Sequence, residues 1–304
     1  YELGYLGNAW DSSGIAHDPE FWKLVLRALK PGGHVVAFNG SRTLGFLAHA
    51  TLVAGLEMRD LIAWFYSSGM PTSQEVGRKI DDHLGAVRPV VGQKVFTDMY
   101  SKENHVVDVT APATPEARMW DGWGTALKPA FEPAIIARRP LEGTVAHNVL
   151  RYSTGAINVA ALRIPQADGS TSWPTNVVFS CGCEGETPTE HGPSCPVAVL
   201  DGQRPDRRGE PLSRLVYCAK PSSAERRLPD GRKNPHPTVK PVDLMRRLVR
   251  LVCPRGGVVL DPFCGSGSTG VAAAAEGCRF VGVELSEEYS GIARSRIAAA
   301  EEAA

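Results

Sequence analysis

Asp261, the glycines Gly265 and Gly267, and a second acid at Glu284 stand together in the stretch VVLDPFCGSGSTGVAAAAEGCRFVGVE. Chemically this is a device for gripping a nucleoside. Glycines let the backbone turn tightly and approach a ligand, and a carboxylate about 20 residues beyond such a turn is placed to accept ribose hydroxyls. Asp261 opens the turn and orients it, while Ser266, Ser268 and Thr269 are expected to cap the next helix. A second reactive set is Cys181, Cys183, His191 and Cys195, in the pattern C-x-C-x7-H-x3-C. Tetrahedral zinc accepts such ligands, and a polar, core-poor segment has reason to need a metal staple. Unpaired thiols are the alternative, because CxC is a less usual zinc spacing than CxxC.

These groups need a scaffold to hold them. Val258, Val259 and Leu260 form a short apolar run between Gly257 and Asp261, which reads as a fully buried parallel strand. The alanine-rich stretch from Thr269 to Glu276 reads as a helix ended by Gly277, and Arg279 to Val283 as the next strand, with Glu284 at its C-terminal end. Upstream, Asp18 to Leu29 is an amphipathic helix, His34 to Phe38 a strand, Arg42 to Ala54 a helix and Arg59 to Tyr66 a strand. Phe131 to Arg138 reads as a further strand, and Pro133 near its beginning suits an edge position. This α/β alternation predicts a doubly wound sheet whose strands 59–66 and 131–138 form an antiparallel edge hairpin.

Two stretches interrupt that alternation. Residues 67–124 begin SSGMPTSQ and contain a helix around Glu75 to Leu84. Residues 144–229 contain the cysteine cluster and most of a basic run: Arg207, Arg208, Arg214, Lys220, Arg226, Arg227, Arg232 and Lys233. A loop of that composition tracks phosphates; the bland alternative is a solvated linker. The expected organisation is thus 1–66, an insertion 67–124, an edge strand within 125–143, a second insertion 144–229, and a ligand-binding half 230–304.

Whole-chain composition narrows the class. Lys plus Arg and Asp plus Glu are balanced at 33 each over 304 residues, so affinity for a polyanion has to come from local patches. A hydrophobic content of 43% suffices to build a core. No run of 18 apolar residues and no signal-like start is present, so the expectation is a cytoplasmic protein without a membrane partner.

The glycine unit is preceded by NPHPTVKP. The order HPTxKP, amphipathic helix, apolar strand, DPFxGSGST resembles the cofactor half of amino-group DNA methyltransferases of the β arrangement, in which that half comes after the catalytic one. The resemblance implies a Rossmann-like methyltransferase sheet, mostly parallel, in permuted order with two insertions. It implies S-adenosylmethionine as cofactor and double-stranded DNA as partner, with a homodimer among the assemblies left open. Carried over residue by residue, the cofactor site is Asp261, Phe263, Gly265, Ser266, Gly267, Thr269 and Glu284, with His236, Thr238 and Lys240 near the methionine end. A methionine carboxylate needs a cationic or amide partner, which suits Lys240; a solvated lysine at the start of the Pro241 to Cys253 helix is the alternative.

The front of the chain resembles the other half. YELGYLGNAWD, the helix after it and KPGGHVVAFNG are similar to the stretch that begins at the tyrosine of the family's catalytic Asp-Pro-Pro-Tyr, with Tyr1 in the tyrosine's place. The expectation is a chain truncated within that motif and impaired by loss of the Asp-Pro-Pro. Tyr1 would stack on a base rotated out of the duplex; an ordinary exposed terminus is the alternative. Methylation at carbon 5 of cytosine uses a Pro-Cys nucleophile, and this sequence has none, so direct transfer to an exocyclic amine is expected. Adenine N6 is the expected target. Cytosine N4, or a silent fragment that binds cofactor and DNA, are the alternatives.

Overall fold

The computed structural model describes residues 11–66, 73–97, 104–165, 170–180 and 225–303. Two compact units are present, Tyr1–Ser68 with Ala130–Ala304, and Gly69–Pro129.

Helix α1 (Pro19–Ala28) starts where the Asp18 carboxylate accepts the Glu20 N–H at 2.9 Å and proline takes the first helical position. It is followed by β1 (His34–Phe38), α2 (Leu44–Val53) and β2 (Glu57–Tyr66). The smaller unit then supplies α3 (Val76–His83), the paired strands β3 (Val90–Thr97) and β4 (Asn104–Thr110), and α4 (Pro115–Met119). Its buried Asp81 accepts the Ala113 and Thr114 N–H groups at 3.0 and 3.1 Å, which ties α3 to the entry of α4. The larger unit resumes with β5 (Phe131–Arg138), α5 (Val145–Tyr152), the short pair β6 (Ile164–Pro165) and β7 (Thr171–Ser172), and β8 (Val177–Ser180). The C-terminal part is α6 (Val242–Val252), β9 (Val258–Asp261), α7 (Ser268–Ala275), β10 (Arg279–Gly282) and α8 (Glu287–Glu302).

The architecture is mixed α/β, with a main sheet of mostly parallel strands. One sheet has the order β1-β5-β2-β8. β5 is antiparallel to both its neighbours and β8 is parallel to β2, so β1, β2 and β8 all run the same way. β9 and β10 pair in parallel, but β9 is not the fully buried strand its apolar run predicts: Val259 packs on the α6–α7 cluster while Val258 and Leu260 are 50% and 44% exposed, because among the described residues β9 pairs with β10 alone and is covered on one face. The antiparallel pairing of 59–66 with 131–138 is therefore present, but the edge position expected for β5 is not: it lies between β1 and β2. Pro133 is accommodated because β1 stops there. The Asn39 N–H donates to the Pro133 carbonyl at 2.9 Å, and the return bond a proline cannot make falls just past the last β1 pair, Phe38 with Ala134.

Because β5 is internal, its alternating side chains serve two layers. Ile135 and Ala137 pack with Trp22, Leu47 and Ala50 of α1 and α2. Ala134 and Ile136 pack with Ile62, Trp64 and with Leu244 and Leu248 of α6 on the other face. Val249 of α6 also packs on Ala272 and Ala273 of α7, so α6 joins the four-stranded sheet to the β9–β10 pair. The described part of residues 144–180 belongs to this larger unit, and its β8 extends the sheet. Among the described residues no helix is long and apolar enough to cross a membrane.

Candidate functional site

The C-terminal ends of the parallel strands are where α/β sheets place their ligands, and the predicted glycine loop leaves the C-terminal end of β9. Asp261 organises it. One carboxylate oxygen accepts the Phe263 N–H at 3.0 Å and the other the Thr269 hydroxyl at 2.5 Å. Burial pushes this carboxyl above the ordinary aspartate value, against the pull of those two hydrogen bonds.

Gly265 and Gly267 both adopt left-handed torsions, with φ of 50° and 84°. Neither has room for a side chain. A Cβ on Gly265 would stand 2.6 Å from His236 Nε2, and one on Gly267 would stand 2.9 Å from the Ala293 backbone. The loop is thus pressed between the His236 ring and α8. Glu284, just past β10, receives the Gly265 N–H at 2.8 Å on one oxygen and the Ser286 N–H at 2.9 Å on the other. That places the second acid directly against the glycine turn.

The expected capping of the helix by hydroxyls does not occur. α7 begins at Gly267 with no side-chain cap. Thr269 is held by Asp261, and Ser266 and Ser268 face the buried Arg296 guanidinium, whose Nη1 lies 2.6 Å from the Ser266 carbonyl, 3.2 Å from its hydroxyl and 3.5 Å from the Ser268 hydroxyl. Each hydroxyl is engaged by a side chain that folding brings near, Ser266 by the Asn234 amide at 3.0 Å as well as by Arg296. α7 consequently turns its positive end toward the loop without a side-chain cap.

The segment preceding α6 forms the other wall. Asn234 donates to the Ser266 hydroxyl at 3.0 Å and accepts the His236 N–H at 3.0 Å. The His236 ring stands edge-on to Tyr289 at 4.6 Å and accepts the Thr238 N–H at Nδ1, 3.3 Å away. Burial, aided by Lys240 and Arg296 and opposed by Glu284, lowers its pKa to about 4, so the ring is neutral near pH 7. Lys240 is not the solvated lysine that the sequence leaves open. Its Nζ pairs with Glu132 at 3.1 Å and lies 5.5 Å from the Phe38 ring centroid. Phe263, largely exposed, touches Phe21 of α1 at 5.3 Å.

The structure therefore gathers Asp261, Gly265, Ser266, Gly267, Thr269, Glu284, His236 and Thr238 around one loop. Phe263 and Lys240 point from its two sides toward the four-stranded part of the unit. Asn234, Arg296 and Glu132 are the participants that sequence reasoning missed. Asn234 adjoins the HPT run and was open to notice; Arg296 and Glu132 carry no local signal. Of the basic residues, Arg226, Arg227, Arg232 and Lys233 lie on a tight turn closed by a bridge between Arg227 and Lys233. Buried Leu228 anchors the turn, and its end, Asn234, is the residue bound to Ser266. Arg207, Arg208, Arg214 and Lys220 lie outside the described residues, as do Tyr1 and the set Cys181, Cys183, His191 and Cys195. Among the described residues no cluster could hold a metal ion. A cleft of about 450 Å³ lined by Lys23, Arg27, Arg139 and Leu141 lies at the opposite end of β1 and β5 and includes none of the loop residues.

Comparison with known proteins bears on this geometry. The family described as DNA methylase, covering N6 and N4 enzymes, matches residues 19–295. The chain is 46% identical over 67 residues to the Type II methyltransferase M2.DpnII of Streptococcus pneumoniae, spanning 22% of this chain and 25% of that protein. It is 40% identical over 96 residues to the putative methylase YubD of Escherichia coli K12, spanning 29% and 42%. It is 46% identical over 54 residues to the DNA adenine methyltransferase YhdJ of the same organism, spanning 18% of each. Each alignment covers less than half of the relative's length. Among solved structures, the M1.HpyAVI–SAM complex matches with a TM-score of 0.46 at 17% identity, covering 92% of this chain and 81% of that one.

Proposed function

The chain belongs to the DNA methylase family, and on that premise we propose that it transfers the methyl group of S-adenosylmethionine to the exocyclic N6 of adenine in duplex DNA. The observation that carries this reading is the loop itself: two left-handed glycines, with a carboxylate held against the first of them at 2.8 Å. A side chain at either glycine would collide with the loop's supports, so the sequence there leaves only backbone to face a ligand. We assign the nucleoside end to Asp261, Phe263, Gly265, Ser266, Gly267, Thr269 and Glu284, and the methionine end to His236, Thr238 and Lys240. A neutral His236 suits a site for a cationic sulfonium, because it adds no like charge.

Bound there, S-adenosylmethionine supplies an electrophilic methyl group. The chain's part is to hold it and to exclude water, since the amine of adenine is a weak nucleophile with its lone pair drawn into the ring. The adenine assignment is supported by the relative named a DNA adenine methyltransferase. The turn bearing Arg226, Arg227, Arg232 and Lys233 is assigned to DNA phosphates, and the insertion 67–124 to further DNA contact. Cys181, Cys183, His191 and Cys195 are assigned a structural zinc, which elemental analysis of the purified protein would detect as bound metal or refute by its absence.

The test of function is direct. The purified protein is incubated with tritiated S-adenosylmethionine and duplex DNA, and the DNA is digested to nucleosides. Label in N6-methyladenine is the expected result. Label only in N4-methylcytosine overturns the choice of target, and unlabelled DNA overturns transfer by this chain.

A further inference from the structure

We infer that Asn234 and Arg296 are positioning residues that clamp Ser266 from two sides and thereby hold the glycine loop in its binding form. The inference rests on reading the loop as the S-adenosylmethionine site.

Ser266 sits between the two left-handed glycines and is 3% exposed. Glycine visits positive and negative φ with similar ease, so Gly265 and Gly267 cannot by themselves hold the turn. Its conformation must be imposed from outside: Glu284 holds the Gly265 N–H at 2.8 Å, and the hydrogen bonds to Ser266 hold the centre of the turn. Asn234 Nδ2 donates to the Ser266 hydroxyl at 3.0 Å, while Arg296 Nη1 donates to the Ser266 carbonyl at 2.6 Å and to its hydroxyl at 3.2 Å. The Asn234 amide also accepts the His236 N–H, so one side chain fixes the relation of both ligand-facing segments.

Arg296 is an expensive residue for this place. It is 7% exposed, and burial lowers its pKa. A guanidinium that only filled the interface between α8 and α7 would be better replaced by an apolar side chain of similar volume. Its hydrogen bonds go to the loop, chiefly to a backbone carbonyl, and a charge-assisted bond is strong enough to offset part of the desolvation. The same face of α8 supplies the rest of the support: Ala293 lies beneath Gly267, and Ile297 reaches Gly270. Residues 293, 296 and 297 share that face by the i, i+3, i+4 rule.

The experiment compares wild type with Arg296→Met, Arg296→Lys and Asn234→Ala. S-adenosylmethionine binding is measured by calorimetry, and protection of the amides from Gly265 to Ser268 by hydrogen exchange without cofactor. Loss of a charged hydrogen bond corresponds to about tenfold or more in affinity, so Arg296→Met is expected to weaken binding by at least that factor. Arg296→Lys, whose ammonium can still reach the Ser266 carbonyl, is expected to recover part of it. Loop amides should exchange faster in Arg296→Met and Asn234→Ala, with distant amides of β5 unchanged. A folded Arg296→Met or Asn234→Ala protein with unaltered affinity and loop protection overturns the clamp. If Arg296→Met does not fold, Asn234→Ala decides alone. If wild type binds no S-adenosylmethionine, the cofactor reading falls, and the exchange measurement still decides the clamp.

Discussion

Lys240 and Glu132 meet as an ion pair at 3.1 Å, with side chains 17% and 16% exposed, and so connect the segment that walls the glycine loop to the start of β5. The pair lies beside the Phe38 ring at the end of β1, and burial, helped by the Glu132 charge, raises the Tyr66 phenol to about 12. Glu132→Gln removes a carboxylate from beside a largely buried cation. The expected cost is about 1–3 kcal/mol of stability. A double-mutant cycle with Lys240→Met, read by denaturant melts, should show a favourable coupling. Additive single effects would mean the two charges do not support each other.

The loop glycines should be intolerant of any side chain. Gly267→Ala forces a methyl to 2.9 Å from the Ala293 backbone at a φ of 84°. A clash with backbone that cannot swing away costs about 1–3 kcal/mol. Gly45, where an added Cβ meets nothing within 4 Å, is the control. Gly267→Ala is expected to lower the melting temperature and weaken S-adenosylmethionine binding, while Gly45→Ala does neither. Equal melting temperatures for the two variants would contradict this account of the loop.

Acid should loosen the wall of the site through His236. The unfolded ring takes up a proton near 6.5, whereas the folded ring does so only at about 4, chiefly because of burial. Between those values the unfolded chain binds more protons, so stability falls as the pH drops through that window. His34, lowered to about 4 by burial and by Arg138 and Arg59, adds a parallel loss. His236→Gln should therefore lose less stability than wild type between about pH 7 and about pH 5, with His34 accounting for part of what remains. Denaturant midpoints at the two pH values provide the check; identical losses in variant and wild type would argue against a buried neutral ring.

The basic turn ahead of Asn234 should reveal itself by salt dependence. Exposed Arg227 and Lys233 form the bridge that closes it. If both bind DNA phosphates, changing both to serine reduces the slope of log affinity against log salt by about 0.9 for each phosphate no longer neutralised, or about 1.8 in all. Fluorescence anisotropy of a labelled duplex over a salt series measures that slope. An unchanged slope removes the turn from the DNA interface.

Much of this protein is legible without coordinates, because local chemistry fixes local form. The run of Val258 to Leu260, the glycines after it and the alanine-rich stretch ending at Gly277 dictate strand, turn and helix within a few residues of where they occur. There, the Cys278 and Gly277 N–H groups close the end of α7 on Ala273 and Ala274. HPTVKP and DPFCGSGST marked most of the residues that gather around the glycine loop, since turn torsions and residue chemistry are written in neighbouring positions. What the sequence could not convey is which distant groups share a desolvated space. β5 looked like an edge strand by its proline, yet pairing on both sides decides an edge, and that depends on where β1 ends. Ser266 and Thr269 looked like helix caps, but folding brings Arg296, Asn234 and Asp261 within reach of their hydroxyls. Lys240 admitted a place in solvent until Glu132, more than a hundred residues earlier, met it. Periodicity and glycine spacing determined the elements and the glycine loop; the choice of partner for each buried polar group was decided only when tertiary packing excluded water and left each one a few partners within hydrogen-bonding distance.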